Sequence, residues 1–326
     1  MKNLEKQFSE IAGFIQKTKN ETLKIVNKTL IDLYWNVGKY ISQKIENSDW
    51  GEGVVTELAN YLNQKHPDLR GFNGRGLWRM KQFYESYKDN EKLTPLVTQI
   101  SWTNNLLLLS KTKTIEEKEF YIRLSIKEKY SKRELERQLQ SAYFERFMLG
   151  KTQISPIAKQ IHPEIEQYFL DTYAIEFLNL QDNFSELELQ KAILKNIKNF
   201  VLEFGKDFLL VGEEFKIQVG KQDFYIDLLF YHRELQCLVA FELKIEDFKP
   251  AHLGQINFYL EALDKDIKKT HEKPSVGIIL CKNKDSEVVE YALNRSLSPT
   301  LVAEYETKLI DKKILQQKLH DFFENK

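Results

Sequence analysis

FYIDLLFYHRELQCLVAFELK, residues 224–244, is the stretch whose reading decides the fold. Two runs of aromatic, branched and aliphatic residues, 224–232 and 237–244, flank the polar tetrapeptide RELQ, and runs of this kind form the strands of a hairpin. With RELQ (233–236) as the loop, His232 pairs with Cys237, and the antiparallel register carried onward sets Asp227 opposite Glu242. Opposed side chains on one face of such a pair have Cβ atoms about 5 Å apart. Two carboxylates that close repel, and one pKa rises, unless a cation neutralises them. Glu242 and Lys244 are two apart on their strand and share a face, while Phe241 and Leu243 point into the opposite layer.

An acid opposite an acid beside a lysine also describes an ordinary solvated sheet face. Here each acid interrupts an otherwise apolar run, FYIDLLFYH and CLVAFEL. Acidic residues are depleted in strands and rarely buried unless paired or metal-bound. The pattern therefore points to metal-assisted phosphodiester hydrolysis. Asp227 and Glu242 are the expected ligands of Mg²⁺ or Mn²⁺, which take hard oxygen donors, and the ion lowers the pKa of a bound water. Lys244 is expected to position that water or to stabilise charge developing on the phosphorus centre.

Outward from the hairpin, EEFKIQV (213–219) reads as a further antiparallel strand, SVGIILC (275–281) as another, and a last strand falls near 300–305. Helices are expected at about 185–204, 251–264 and 285–295, so helices and strands share an α/β layer arrangement. Gln255 and Tyr259 lie one turn apart on the second of these helices. Gln255 is a candidate for contact with a phosphate or a metal-bound water, braced by Tyr259, although Tyr259 suits a core position equally. Ser185 is the expected N-cap of the first helix. Glu186 shares a face with Leu189 and Ile193 and is a candidate third metal carboxylate, with Glu188 as the alternative.

Residues 1–150 have helical spacing: after Ile25, the residues Leu30, Leu33, Tyr34, Val37 and Ile41 recur at three- and four-residue steps. Breaks near 48–51, 66–68, 71–76 and 94–95 divide this half into roughly five helices, and 115–149 gives one long amphipathic pattern. The domain reading is a helical binding domain at 1–150, a linker or bridging element at 151–184 interrupted by Pro156 and Pro163, and the chemistry-bearing domain at 185–326.

Net charge is zero, yet 1–150 holds 25 basic and 19 acidic residues against 23 and 29 in 151–326. A basic half beside an acidic half suits a chain that meets a polyanion with one part and concentrates carboxylates for a cation in the other. Between Asp68 and Glu85 there is no acid, while Arg70, Arg75, Arg79 and Lys81 occur with Phe72, Trp78 and Phe83. A glycine-punctuated loop leading into a basic helix is a candidate phosphate reader of winged-helix or helix-turn-helix type; a helix with core aromatics and merely solvated cations has the same composition. Cys237 and Cys281 sit in apolar runs as core residues, and no disulfide framework or CxxC site is available. The six histidines show no HExxH spacing. The first 30 residues carry charges throughout, so a cytoplasmic protein without a membrane span is expected.

The segment FYIDLLFYHRELQCLVAFELKIEDFKPAHLGQINFYLEALD, followed by PSVGIILCKNKDSEVVEYAL, resembles the YhcG-like PD-(D/E)xK nucleases. YWNVGKYI, GFNGRGLWRMKQFYESY and ISWTNNLLLL resemble the helical N-terminal domain of the same family. The resemblance implies a restriction-endonuclease-like mixed sheet flanked by helices, preceded by an all-helical domain for nucleic-acid or partner binding. It places Asp227, Glu242 and Lys244 in the catalytic positions and a QxxxY element on Gln255 and Tyr259. The expected activity is a metal-dependent nuclease acting on DNA rather than RNA, with homo-oligomerisation open. The competing expectation is a non-catalytic nucleic-acid-binding or assembly module that retains the fold.

Overall fold

The computed structural model describes residues 2–47 and 50–324. The chain divides into two compact units, Met1–Glu136 and Arg137–Lys326.

The first unit is helical throughout its described residues: α1 (Lys2–Glu46), α2 (Glu52–Lys65), α3 (Gly74–Tyr87), α4 (Thr94–Val97), α5 (Trp102–Lys111), α6 (Ile115–Glu128) and the start of α7 (Lys132–Gln140). No strand occurs among those residues, so the winged-helix expectation lacks its wing. Ile31, Tyr34 and Ile41 of α1 and Leu77, Met80, Phe83 and Tyr87 of α3 form the buried seam. Gly38 permits this seam, because a Cβ there would lie 2.1 Å from the Met80 carbonyl oxygen. The single amphipathic pattern expected over 115–149 is three helices, α6, α7 and α8 (Tyr143–Leu149), interrupted by left-handed residues at Lys129 (φ 51°) and Ala142 (φ 52°).

The second unit is a seven-stranded mixed sheet with helices. After α8 come β1 (Gln153–Ile154), α9 (Pro156–Ile161), β2 (Thr172–Ala174), α10 (Glu186–Lys195), α11 (Ile197–Phe204), β3 (Phe208–Val219), β4 (Gln222–His232) and β5 (Cys237–Leu243). Then follow α12 (His252–Ala262), β6 (Val276–Cys281), α13 (Ser286–Leu293), β7 (Thr300–Glu306) and α14 (Lys312–Glu324). The strand order is β1-β7-β6-β5-β4-β3, with β2 also on β7. β3, β4 and β5 form an antiparallel meander, and β5, β6 and β7 run parallel.

Two expectations are corrected here, and one element is added. Residues 151–184 are no linker: β1 pairs antiparallel and β2 parallel with β7, so this segment completes the sheet. Two- and three-residue strands fall below the length at which alternation can be read. The helix expected at 185–204 breaks at Asn196 into α10 and α11, and a terminal helix, α14, follows the last expected strand.

Two apolar layers hold the sheet. On one face Leu228, Phe230, Val239, Phe241 and Leu243 pack with Leu189 and Ile193 of α10 and Phe200 and Phe204 of α11. On the other, Leu229, Leu238, Ala240 and Ile279 pack with Leu253, Ile256 and Leu260 of α12. β5 is buried at all seven positions, as a central strand covered on both faces must be.

Candidate active site

The hairpin has the register expected from its loop, with His232 paired to Cys237 and the ladder continuing to Leu228↔Phe241. One step further the ladder ends. At Asp227 the side chain replaces it, with Oδ2 accepting a hydrogen bond from the Leu243 backbone N–H at 2.7 Å. Three of the expected site residues meet where these strands part.

Glu242 is 1% exposed. Its Oε1 takes the Lys244 ammonium at 2.8 Å, and its Oε2 is buried without a hydrogen-bond partner. Burial, then the charge of Asp227, outweigh Lys244 and push the Glu242 carboxyl up to about 7. Burial is also the main cause holding the Asp227 carboxyl above its ordinary value, with Glu186 and Glu214 adding to it. Burial pulls the other way on Lys244, but the bond to Glu242 and the charges of Glu242, Glu186 and Asp227 hold its ammonium above the usual lysine range.

The two glutamates at the start of α10 divide their tasks. Glu188 closes a capping box with Ser185, its carboxylate accepting from the Ser185 N–H at 2.8 Å while Ser185 Oγ accepts from the Glu188 N–H at 3.2 Å. Glu186 reaches Lys244, with Oε2 3.5 Å from Nζ. On α12, Gln255 Nε2 donates to Tyr259 Oη at 2.8 Å. Tyr259 is buried, and its hydroxyl is held un-ionised first by burial and also by the charges of Glu242 and Asp227.

Three residues at the site escape sequence reasoning. Gln190, buried on α10, donates from Nε2 to the Asp227 carbonyl oxygen at 2.8 Å. Its position one turn after Glu186 is the available signal. Tyr305 on β7 donates to the Lys244 carbonyl oxygen at 3.2 Å, a contact across 61 residues that no local pattern announces. Glu214 lies on β3 between the pairs Glu213↔Leu228 and Phe215↔Ile226, hence across from Asp227, in a left-handed conformation with φ 41°.

Among the described residues no group of three or more His, Cys, Asp or Glu side chains is spaced to hold a metal ion. Two carboxylates nevertheless fit a hard divalent cation, since Mg²⁺ commonly binds through one or two carboxylates and keeps several waters. The unpartnered Glu242 Oε2 is the kind of buried acceptor such an ion satisfies.

The expected phosphate readers lie in the first unit. Arg70 and Arg75 are exposed and Arg79 is half-buried. Lys81 is a weaker candidate than its sequence suggests, because it pairs with Glu85 at 2.7 Å and stands 5.6 Å over the Trp78 ring. Phe83 is core, and Phe72 packs edge-on to Tyr34. The Asn73 side chain accepts from Gly76 N–H at 2.9 Å and caps α3. No helix among the described residues is long and apolar enough to cross a membrane.

Comparison with known proteins gives the same architecture. Residues 166–320 match the YhcG PDDEXK nuclease domain, and residues 10–146 match the DUF1016 N-terminal domain. The Escherichia coli (strain K12) protein described as "Putative nuclease YhcG" is 28% identical over 348 residues, covering 95% of this chain and 92% of that protein. Among solved structures, the crystal structure of a repair endonuclease from Pyrococcus abyssi aligns with 40% of this chain and 49% of its own. Its TM-score of 0.27 and 19% identity are too low to carry an argument. With both domains matched in order and the strand-end carboxylates in place, the chain belongs to the YhcG-like family, a DUF1016 N-terminal domain followed by a PD-(D/E)xK-type nuclease domain.

Proposed function

We propose that this protein is a metal-dependent nuclease that hydrolyses phosphodiester bonds in DNA, with its chemistry at the splayed end of β4 and β5. The observation that carries the reading is the Glu242 carboxylate. One oxygen is committed to Lys244 and the other is buried without a partner beside Asp227. A buried carboxylate left in that state costs free energy that a structural role does not recover.

Asp227 and Glu242 would hold Mg²⁺ or Mn²⁺, with Glu186 available to a bridging water. The bound ion supplies Lewis acidity and a water of lowered pKa. The chain's own residues do the rest. Asp227 is fixed at both ends, by Leu243 on its carboxylate and Gln190 on its carbonyl, which keeps its donor atom in one orientation. Lys244 carries the positive charge that stabilises the anionic phosphoryl oxygens in the transition state or orients the attacking water. Gln255, exposed and braced by Tyr259, would touch a phosphate. Arg70, Arg75 and Arg79 are the proposed nucleic-acid contacts of the helical unit, with Lys81 secondary.

A digestion panel of linear, nicked, branched and single-stranded DNA and of RNA, titrated with Mg²⁺ and Mn²⁺, tests the reading with Glu242→Ala as blank. Cleavage of DNA that requires metal and vanishes in the variant supports it. Cleavage that persists in the variant, or stabilisation by metal that Asp227→Ala leaves intact, overturns the site.

A further inference from the structure

α1 is 45 residues long, yet only its C-terminal part joins the core of its unit. Asn27, which donates to the carbonyls of Thr98 and Ile100, begins that attachment, and Ile31 is the first fully buried residue. Before it, every side chain described from Phe8 to Val26 is exposed, including Phe8 (61%), Ile11, Ile15 (60%) and Val26. Most helical stability in proteins comes from packing an amphipathic face, and the described side chains of this segment are not packed within their own unit.

The face continues along the helix. Phe8, Ile11, Ile15, Thr18, Thr22, Val26, Leu30, Leu33, Val37 and Tyr40 follow at steps of three and four and form one uncharged stripe. It lies opposite the core-facing Ile31, while Tyr34, one turn after Leu30, marks the edge where the stripe meets the core. Its far end, at Leu33, Val37 and Tyr40, lines an apolar groove of about 540 Å³ with Leu58 and Leu62 of α2. One helix therefore bears an overhang without a groove and a groove without an occupant. The two cannot meet within one chain, because they lie on the same face of one helix.

We propose that α1 pairs antiparallel with α1 of a second copy of this chain, each overhang filling the other's groove. The spacing favours this occupant. The steps between stripe residues read the same in both directions about Lys24, so the pairing brings Phe8 to Tyr40, Ile11 to Val37, Ile15 to Leu33 and Thr22 to Val26. Self-complementarity of this kind is what a two-fold interface requires. The area is sufficient as well. Six large stripe side chains that are about half exposed offer on the order of 100 Å² each. Two copies then bury roughly 1,200 Å², and the groove walls of α2 extend this into the range of specific interfaces.

Light scattering on the full chain at micromolar concentration tests the pairing. The expected mass is twice 38.6 kDa. Ile15→Glu and Leu33→Lys, both at exposed positions, should each give the single-chain mass while keeping the wild-type far-ultraviolet spectrum. An equimolar mixture of the two should recover the dimer, because the opposed charges then meet across the interface. A wild-type monomer, a dimeric Ile15→Glu, or a mixture that stays monomeric overturns the proposal; the last result assigns the face to a parallel pairing or another protein. Should a variant lose helicity, the double variant Ile15→Cys, Leu33→Cys decides. It should form an inter-chain disulfide on mild oxidation, since the native Cys237 and Cys281 are buried, and failure to cross-link is equally fatal.

Discussion

Glu203 and Glu242 are both almost wholly buried in the sheet unit, and they have opposite fates. Glu203 on α11, 0% exposed, receives Arg146 on Oε1 at 2.6 Å and Arg137 on Oε2 at 2.5 Å, and the Ala174 N–H adds a third bond at 2.8 Å. Burial alone would raise its carboxyl, but the two guanidinium groups outweigh burial and hold it below the ordinary value. Glu242 has one lysine and one unpartnered oxygen, and its carboxyl is pushed up to about 7. Buried charge by itself thus distinguishes nothing. A carboxylate whose every oxygen is satisfied within the chain is a clamp, here tying α7, α8 and β2 to α11, whereas one left short has an acceptor that only a proton or a ligand can satisfy.

The sharpest way to break this contrast is to remove the clamp. Glu203→Ala leaves Arg146 buried without its anion and Arg137 with only Glu176, 3.4 Å away, and breaking such a cluster costs about 3–5 kcal/mol. Thermal or urea unfolding should show a loss of that size. A variant that unfolds like the parent would mean that the arginines find other partners and the clamp is dispensable.

Next in size is Lys244→Ala, which on the proposed function removes a charge aimed at the transition state rather than a metal ligand. Cleavage should fall by about 10²–10³ fold, while the metal concentration giving half-maximal stabilisation changes little. Wild-type cleavage by the variant would return Lys244 to the class of structural counter-ions, alongside Arg146.

The two glutamates should also differ in their response to pH. Glu242 has a folded value of about 7 against 4.5 for the ordinary group. Between those values the folded chain keeps a proton that the unfolded chain releases. Its contribution to metal-free stability is therefore complete below 4.5 and is lost as pH rises through about 7. Glu242→Gln should flatten that part of the melting profile. Mg²⁺ affinity should rise over the same interval, because only the ionised carboxylate binds. Glu203, whose value is lowered, contributes stability that is lost only as pH falls into the acid range. Identical melting profiles for Glu242→Gln and the parent would remove Glu242 as the source of the slope.

The smallest effect concerns the helical unit. Charge reversal at Arg75 and Arg79 should weaken DNA binding on every sequence tested and reduce its salt dependence, by about 0.9 in logarithmic slope for each duplex phosphate that is no longer neutralised. Fluorescence anisotropy at several salt concentrations measures this. An unchanged slope would leave substrate binding to the sheet unit.

Much of the site is legible in the sequence because it lies on one hairpin with a short loop. A four-residue loop fixes the register, and register with strand alternation places Asp227, Glu242 and Lys244 together without any knowledge of the rest of the fold. The same local logic puts Gln255 one turn from Tyr259 and gives Ser185 as a cap. The choice between Glu186 and Glu188 lies beyond it, since both stand in the first turn of α10, and which one caps and which faces Lys244 depends on how that helix sits on the sheet. Lys81 can be counted as basic, but its engagement by Glu85 and Trp78 depends on side-chain conformation within α3.

The sequence by itself determined the elements whose signal is local: the hairpin, the helical periodicity of the first half, and the meeting of the strand-end acids with Lys244. Tertiary structure alone decided what depends on distant partners. β1 and β2 are too short to declare themselves and exist because β7 offers an edge to pair with. Tyr305 reaches the Lys244 carbonyl only because β7 lies two strands from β5 in the assembled sheet. The orphaned oxygen of Glu242 likewise becomes a feature only once α12 and the two sheet layers have closed over it, because the cost of an unmade hydrogen bond appears when water is excluded.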